Sequence, residues 1–160
     1  MISVSQFPFK TVKKRFPTSQ QLGVHLPDDL FMVQMTGVAK VDICGDTSGS
    51  WSKDVVQLTL SYRDTLPEDQ GLSVQQWTHT VTPARWSNDN VAHNHGIGIK
   101  LWEHGSSGST AERALYASDW QVKATVSIRD SDAHLLGLAY SVTLIGTLGE
   151  HWRSRSGHAR

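Results

Sequence analysis

The stretch KDVVQLTLSYRD, residues 53–64, decides the fold. Val56, Leu58, Leu60 and Tyr62 take alternate positions, so they line one side of an extended chain. An amphipathic helix would bring its apolar residues back every three or four positions instead. The stretch therefore reads as a half-buried strand. Just before it, GDTSGSW (45–51) is made of the Gly, Ser and Asp residues that a loop between two strands requires.

The same period runs outward in both directions. In FMVQMTGVAKVDI (31–43), Phe31, Val33, Met35, Ala39, Val41 and Ile43 share a face, with Gly37 in step as a bulge or bend. WTHTV (77–81) alternates Trp77, His79 and Val81, and IGIKLW (97–102) puts Ile97, Ile99 and Leu101 on one side. WQVKATVSI (120–128) aligns Trp120, Val122, Ala124, Val126 and Ile128. LLGLAYSVTLIGTL (135–148) places Leu136, Leu138, Tyr140, Val142, Leu144 and Leu148 together. The last two runs, joined by RDSDAH (129–134), read as an antiparallel hairpin. Only STAERALYAS (109–118) has the capping pattern of a helical turn. The expectation is an all-β chain: an antiparallel two-sheet β-sandwich, jelly-roll-like, with a closed barrel as the alternative.

Three patterns carry possible chemistry. Asp46, Ser48 and Ser50 spell D-x-S-x-S, which resembles the cation-binding motif of von Willebrand factor A domains. That resemblance implies a parallel strand before the motif, a long helix after it and further αβ units. Residues 53–64 read as strand, so the motif reads as a turn and no metal is assigned to it. His93 and His95 share a face with Ile97, Ile99 and Leu101, an H-x-H pattern similar to that of cupins. The cupin resemblance implies a glutamate a few residues on. Here Glu103 would lie roughly 23–27 Å further along an extended strand, too far to join the same ion. No serine sits in a G-x-S-x-G elbow, and HGIGIK (95–100) lacks the spacing of a phosphate loop. No catalytic residue, cofactor or metal ligand is therefore expected. The single cysteine, Cys44, rules out an internal disulfide.

A chain of 160 residues fits one domain with its own core. The net charge of zero hides a layout. Residues 1–16 carry +4 and residues 150–160 carry +2, while the body between them carries −6. The division expected is a basic N-terminal arm (1–16), one all-β domain (17–150) and a basic C-terminal tail (151–160). No stretch approaches 18 apolar residues, which argues against a membrane span, and the N-terminal residues lack the apolar core of a secretory signal. Synthesis in a cytoplasm and a place in a larger particle follow as expectations.

These features favour a non-enzymatic subunit that acts by self-association, by fold analogy with the sandwich proteins of virus and phage particles. Its interface residues would be Phe7, Phe9, Lys13, Lys14, Arg15 and Phe16, three aromatic rings among cations on an extended arm. Basic ends also suit nucleic acid. The first alternative is a lectin-like carbohydrate-binding module built on Trp86, Asn88, Asp89, Asn90, His93 and His95, since an indole face stacks on a pyranose while polar neighbours hold hydroxyls. The second is a cupin-like metalloenzyme using His93 and His95.

Overall fold

The computed structural model describes residues 2–7, 14–16, 19–44, 51–87, 96–106, 116–129 and 134–150. Within them the chain forms strands β1 (Ile2–Phe7), β2 (Lys14–Phe16), β3 (Ser19–His25), β4 (Leu30–Cys44), β5 (Asp54–Ser61), β6 (Gln70–Trp86), β7 (Gly96–Ser106), β8 (Asp119–Arg129) and β9 (His134–Glu150). One turn of 3-10 helix, Arg63–Thr65, follows β5. The strands make two antiparallel sheets, ordered β2-β1-β5-β8-β7 and β3-β4-β9-β6. The sheets remain separate, so the closed-barrel alternative is set aside.

Their facing sides make the core. On β5, Val56, Leu58 and Leu60 are buried, and Tyr62 follows in step. On β8, Trp120, Val122, Ala124, Val126 and Ile128 are buried opposite them. The four-stranded sheet contributes Phe31, Val33, Met35, Ala39, Val41 and Ile43 from β4, and Leu138, Tyr140, Val142 and Leu144 from β9. Each such Val, Leu or Ile removed from water is worth about 1.5–3 kcal/mol, which is why these alternations hold register so firmly. The stretch after residue 51 is strand, not the helix that a von Willebrand A domain needs.

Two readings of the sequence are corrected by the pairing. Between Lys40 and Ile43 the register against β9 slips, so Lys40 faces Gly137 but Ile43 faces Leu135. Strand β4 keeps its own alternation through the slip, which reverses the phase of β9. Leu135 is consequently the buried residue, and Leu136, expected inward, is only half-buried. A bulge leaves no mark in the apolar pattern of one strand, because it is a property of the pair. The second correction concerns β8 and β9. They do not form a hairpin, because β8 lies between β5 and β7 while β9 lies between β4 and β6. Both edges of each strand are taken by other partners, and the two strands belong to different sheets.

No bulge lies at Gly37, since its pairing with Tyr140 continues without a shift. A side chain at Gly37 would run into the Tyr140 phenol, so the glycine makes room for a ring in the core. The helical turn expected at 109–118 falls mostly outside the described residues, and Tyr116–Ser118 contains an isolated bridge from Ala117 to Leu72 instead. Across the sandwich, the Trp77 ring on β6 meets the Trp120 ring on β8 with centroids 5.7 Å apart.

Gly37→Ala is expected to lower stability by about 1–3 kcal/mol through overpacking against Tyr140. In a Tyr140→Ala background, where the phenol is gone, the same change should cost much less. Urea denaturation of the four proteins measures the difference; equal costs in both backgrounds would contradict the packing role.

Candidate functional site

The expected arm is the first test of the interface reading. The backbone of 2–7 is strand β1, paired residue by residue with β5 from Ile2↔Leu60 to Phe7↔Val55. The backbone of 14–16 is β2, paired with β1 at the border of the five-stranded sheet. Phe7, Lys14, Arg15 and Phe16 therefore belong by backbone to the chain's own sheet, while Phe9 and Lys13 lie outside the described residues. Of the carbohydrate candidates, Trp86 is placed at the end of β6 against Leu135, half-buried and packed on the core. Asn88, Asp89, Asn90, His93 and His95 lie outside the described residues, as do Asp46, Ser48 and Ser50.

Beside Trp86 the ends of β6 and β9 are tied together. Ser87 N–H donates to the His134 carbonyl at 2.9 Å, and His134 N–H donates to Ser87 Oγ at 3.0 Å. The His134 ring extends across to β4, with Nδ1 2.6 Å from Asp42 Oδ1. Both side chains of this pair are largely exposed, at 43% and 70%. Water screens such a contact, so it orients the imidazole more than it stabilises the fold. No group of three or more His, Cys, Asp or Glu side chains suited to a metal occurs among the described residues.

A larger feature is the outer face of the four-stranded sheet. Register fixes its rows. Gln20, Thr36, Ser141 and Thr80 stand side by side across β3, β4, β9 and β6. Leu22, Gln34, Thr143 and Thr78 make the next row. Above and below lie Val38 with Ala139 and Thr82, and Val24 with Met32, Ile145 and Gln76. None of these residues carries a charge. Leu22 and Val38 are 51% and 46% exposed, two of the four large apolar residues left in water among the described residues. A depression between β3 and β4 is lined by Gln20, Gln21, Leu22, Gln34 and Thr36.

Charge returns only at the ends of this face. At one end Lys40 and Arg85 flank Gly137 in a single row, with Asp42 one step beyond Lys40 on the same side of β4. A side chain at Gly137 would press on both Val38 and Arg85, so the bare backbone there keeps the row level. At the other end stand Asp28 and Asp29 of the β3–β4 turn, Asp69 before β6, and Glu150 closing β9, all exposed. Asp28, Asp29 and Asp69 have φ of 63°, 59° and 57°, a left-handed conformation that aspartate tolerates better than most residues. By contrast, β8 of the other sheet carries Asp119, Lys123 and Arg129 along its length.

This face was legible in part. The segments 30–39, 70–84 and 135–149 contain no Asp, Glu, Lys or Arg, a signal the sequence carries openly. Strand β3 is equally free of these residues, but it lacks an inward apolar alternation, because its apolar Leu22 and Val24 point outward. Its inner side holds Gln21, whose amide donates to the Ser61 carbonyl, and Gly23, which rests on Thr65. No family model, curated protein or solved structure matches this chain. No helix among the described residues is long and apolar enough to cross a membrane.

Ser87→Ala removes the acceptor for the His134 N–H and should cost about 1 kcal/mol, whereas Asp42→Ala should cost about 0–1 kcal/mol. Chemical denaturation of the two variants checks the order; a larger loss from Asp42→Ala would make the exposed pair the stronger tie.

Proposed function

We propose that this chain is a non-enzymatic structural subunit that works by self-association. One observation carries the reading: β6, 17 residues long, is the last strand of its sheet among the described residues. Natural sheets blunt such borders with short strands, charges or prolines, because an exposed strand edge pairs readily with another chain. From Gln76 to Thr82, β6 has no charge, no proline and no register shift. Pro83, the bulges at either end of that segment and, nearer the start of β6, the bridge from Leu72 to Ala117 limit it. A strand of this kind suits addition of a neighbour's strand to the sheet.

The jelly-roll likeness belongs to this proposal as well, at the level of two facing antiparallel sheets. Three sequential pairs, β1–β2, β3–β4 and β7–β8, stay within one sheet, so the likeness to particle subunits is one of architecture. The basic ends would then act between subunits or on nucleic acid enclosed by them, with a field screened by salt.

Light scattering coupled to size exclusion tests the reading. The expected mass at micromolar protein is a multiple of 17.7 kDa that falls on dilution or at high salt. A mass of one chain up to high micromolar concentration would overturn it.

A further inference from the structure

We infer that the outer face of the four-stranded sheet is a two-fold contact with a second copy of this chain, packed face to face and head to tail. The inference rests on the self-association reading and says which surface performs it. Three properties of the face support this occupant.

The first is charge. In a two-fold contact every residue near the axis meets its own counterpart, so a charge there faces a like charge in a space that excludes water. The centre of this face, Gln34, Thr36, Ser141 and Thr143, carries none. Depletion of charge in the middle of an exposed surface is the compositional mark of an interface core. The outward side of β8, with Lys123 in mid-strand, lacks that mark.

The second is size. Four strands at about 4.8 Å spacing and four rows about 7 Å apart cover about 500 Å² in projection, and side-chain relief raises the accessible area towards the ~800 Å² per partner of a standard interface. Leu22 and Val38 would contribute apolar area within it. Hydroxyl and amide side chains supply both donors and acceptors, so they can hydrogen-bond one another across the contact.

The third property sets direction. A two-fold axis lying in the plane of the contact and perpendicular to the strands brings each end of one copy over the opposite end of the other. Lys40 and Arg85 then approach the acidic end at Asp28, Asp29, Asp69 and Glu150, twice over. The parallel arrangement would set acidic end on acidic end. Lys40 and Arg85 outnumber Asp42, which already contacts His134, so the opposite net charges of the two rims favour the head-to-tail orientation, with a modest effect on affinity and a larger one on specificity.

The test places one charge at the centre of the face. Ser141→Arg and Thr36→Arg, each exposed on its strand, should leave far-UV circular dichroism and the melting temperature near those of the parent and weaken association at least tenfold by light scattering. Thr59→Arg, outward on β5 of the other sheet, should associate like the parent. If Ser141→Arg or Thr36→Arg does not fold, Gln34→Glu places a charge at the same centre with almost no change in volume. A parent that associates while every folded face variant keeps its mass would overturn this surface and leave self-association standing. Equal loss in Thr59→Arg would also overturn it, because the effect would not belong to the face. A monomeric parent would remove both the surface and the reading beneath it.

Discussion

The pairing of β4 with β9 is the constraint on which everything else hangs. It runs from Leu30↔Thr147 to Cys44↔His134 through the middle of the four-stranded sheet, and it alone positions that sheet's two border strands. Because side chains alternate, fixing this register fixes at once which residues meet the core and which meet water. Phe31, Val33 and Met35 go inward with Leu144 and Val142; Gln34, Thr36, Ser141 and Thr143 go outward. A slip by one residue over the whole pair would expose the core. The slip that does occur, between Lys40 and Ile43, is confined to one end, where it turns Leu135 inward and leaves the Lys40–Gly137–Arg85 row outside.

From that register follows an asymmetry between the two sheets. Both bury one face in the shared core, but their outer faces differ in chemistry. One carries charge along β8, and the other keeps charge to its rims and presents hydroxyls, amides and a few exposed aliphatic residues. The long edge of β6 borders the neutral face. Edge and face together would give a subunit two different kinds of contact. A two-fold face contact closes on itself as a dimer; growth into a larger assembly needs a second contact such as a strand edge.

Much of this was legible in the residues themselves. Wherever a strand has one wet and one dry side, as in β5 and β8, the period-two pattern named every buried residue. What could not be read depended on pairs of strands. The bulge that exchanges Leu136 for Leu135, the crossing between β8 and β9, and the fit of Tyr140 beneath Gly37 arise only when two strands meet. Strand β3 escaped notice for a related reason: its inner residues, Gln21 and Gly23, face the Ser61–Thr65 turn and need not be apolar. The candidate surface was visible as an absence of charge over 30–39, 70–84 and 135–149, but only register shows that these segments form one plane. The carbohydrate candidates fared differently, since of that set only Trp86 lies among the described residues, and it packs on the core.

Cys44 offers the most direct measurement, because it is the chain's single cysteine, it is exposed, and it sits at the Lys40 end of the face. A spin label on this native residue reports the separation of the two copies by pulsed dipolar spectroscopy without any substitution. With the axis at the centre of the neutral face, Cys44 lies nine residues along β4 from it, so head-to-tail packing separates the two labels by about 60 Å at ~3.3 Å per residue. A distribution centred near that distance is the expected result. A separation below about 30 Å would put the two Lys40 ends together, and no dipolar signal at any concentration would mean that no second copy meets this face.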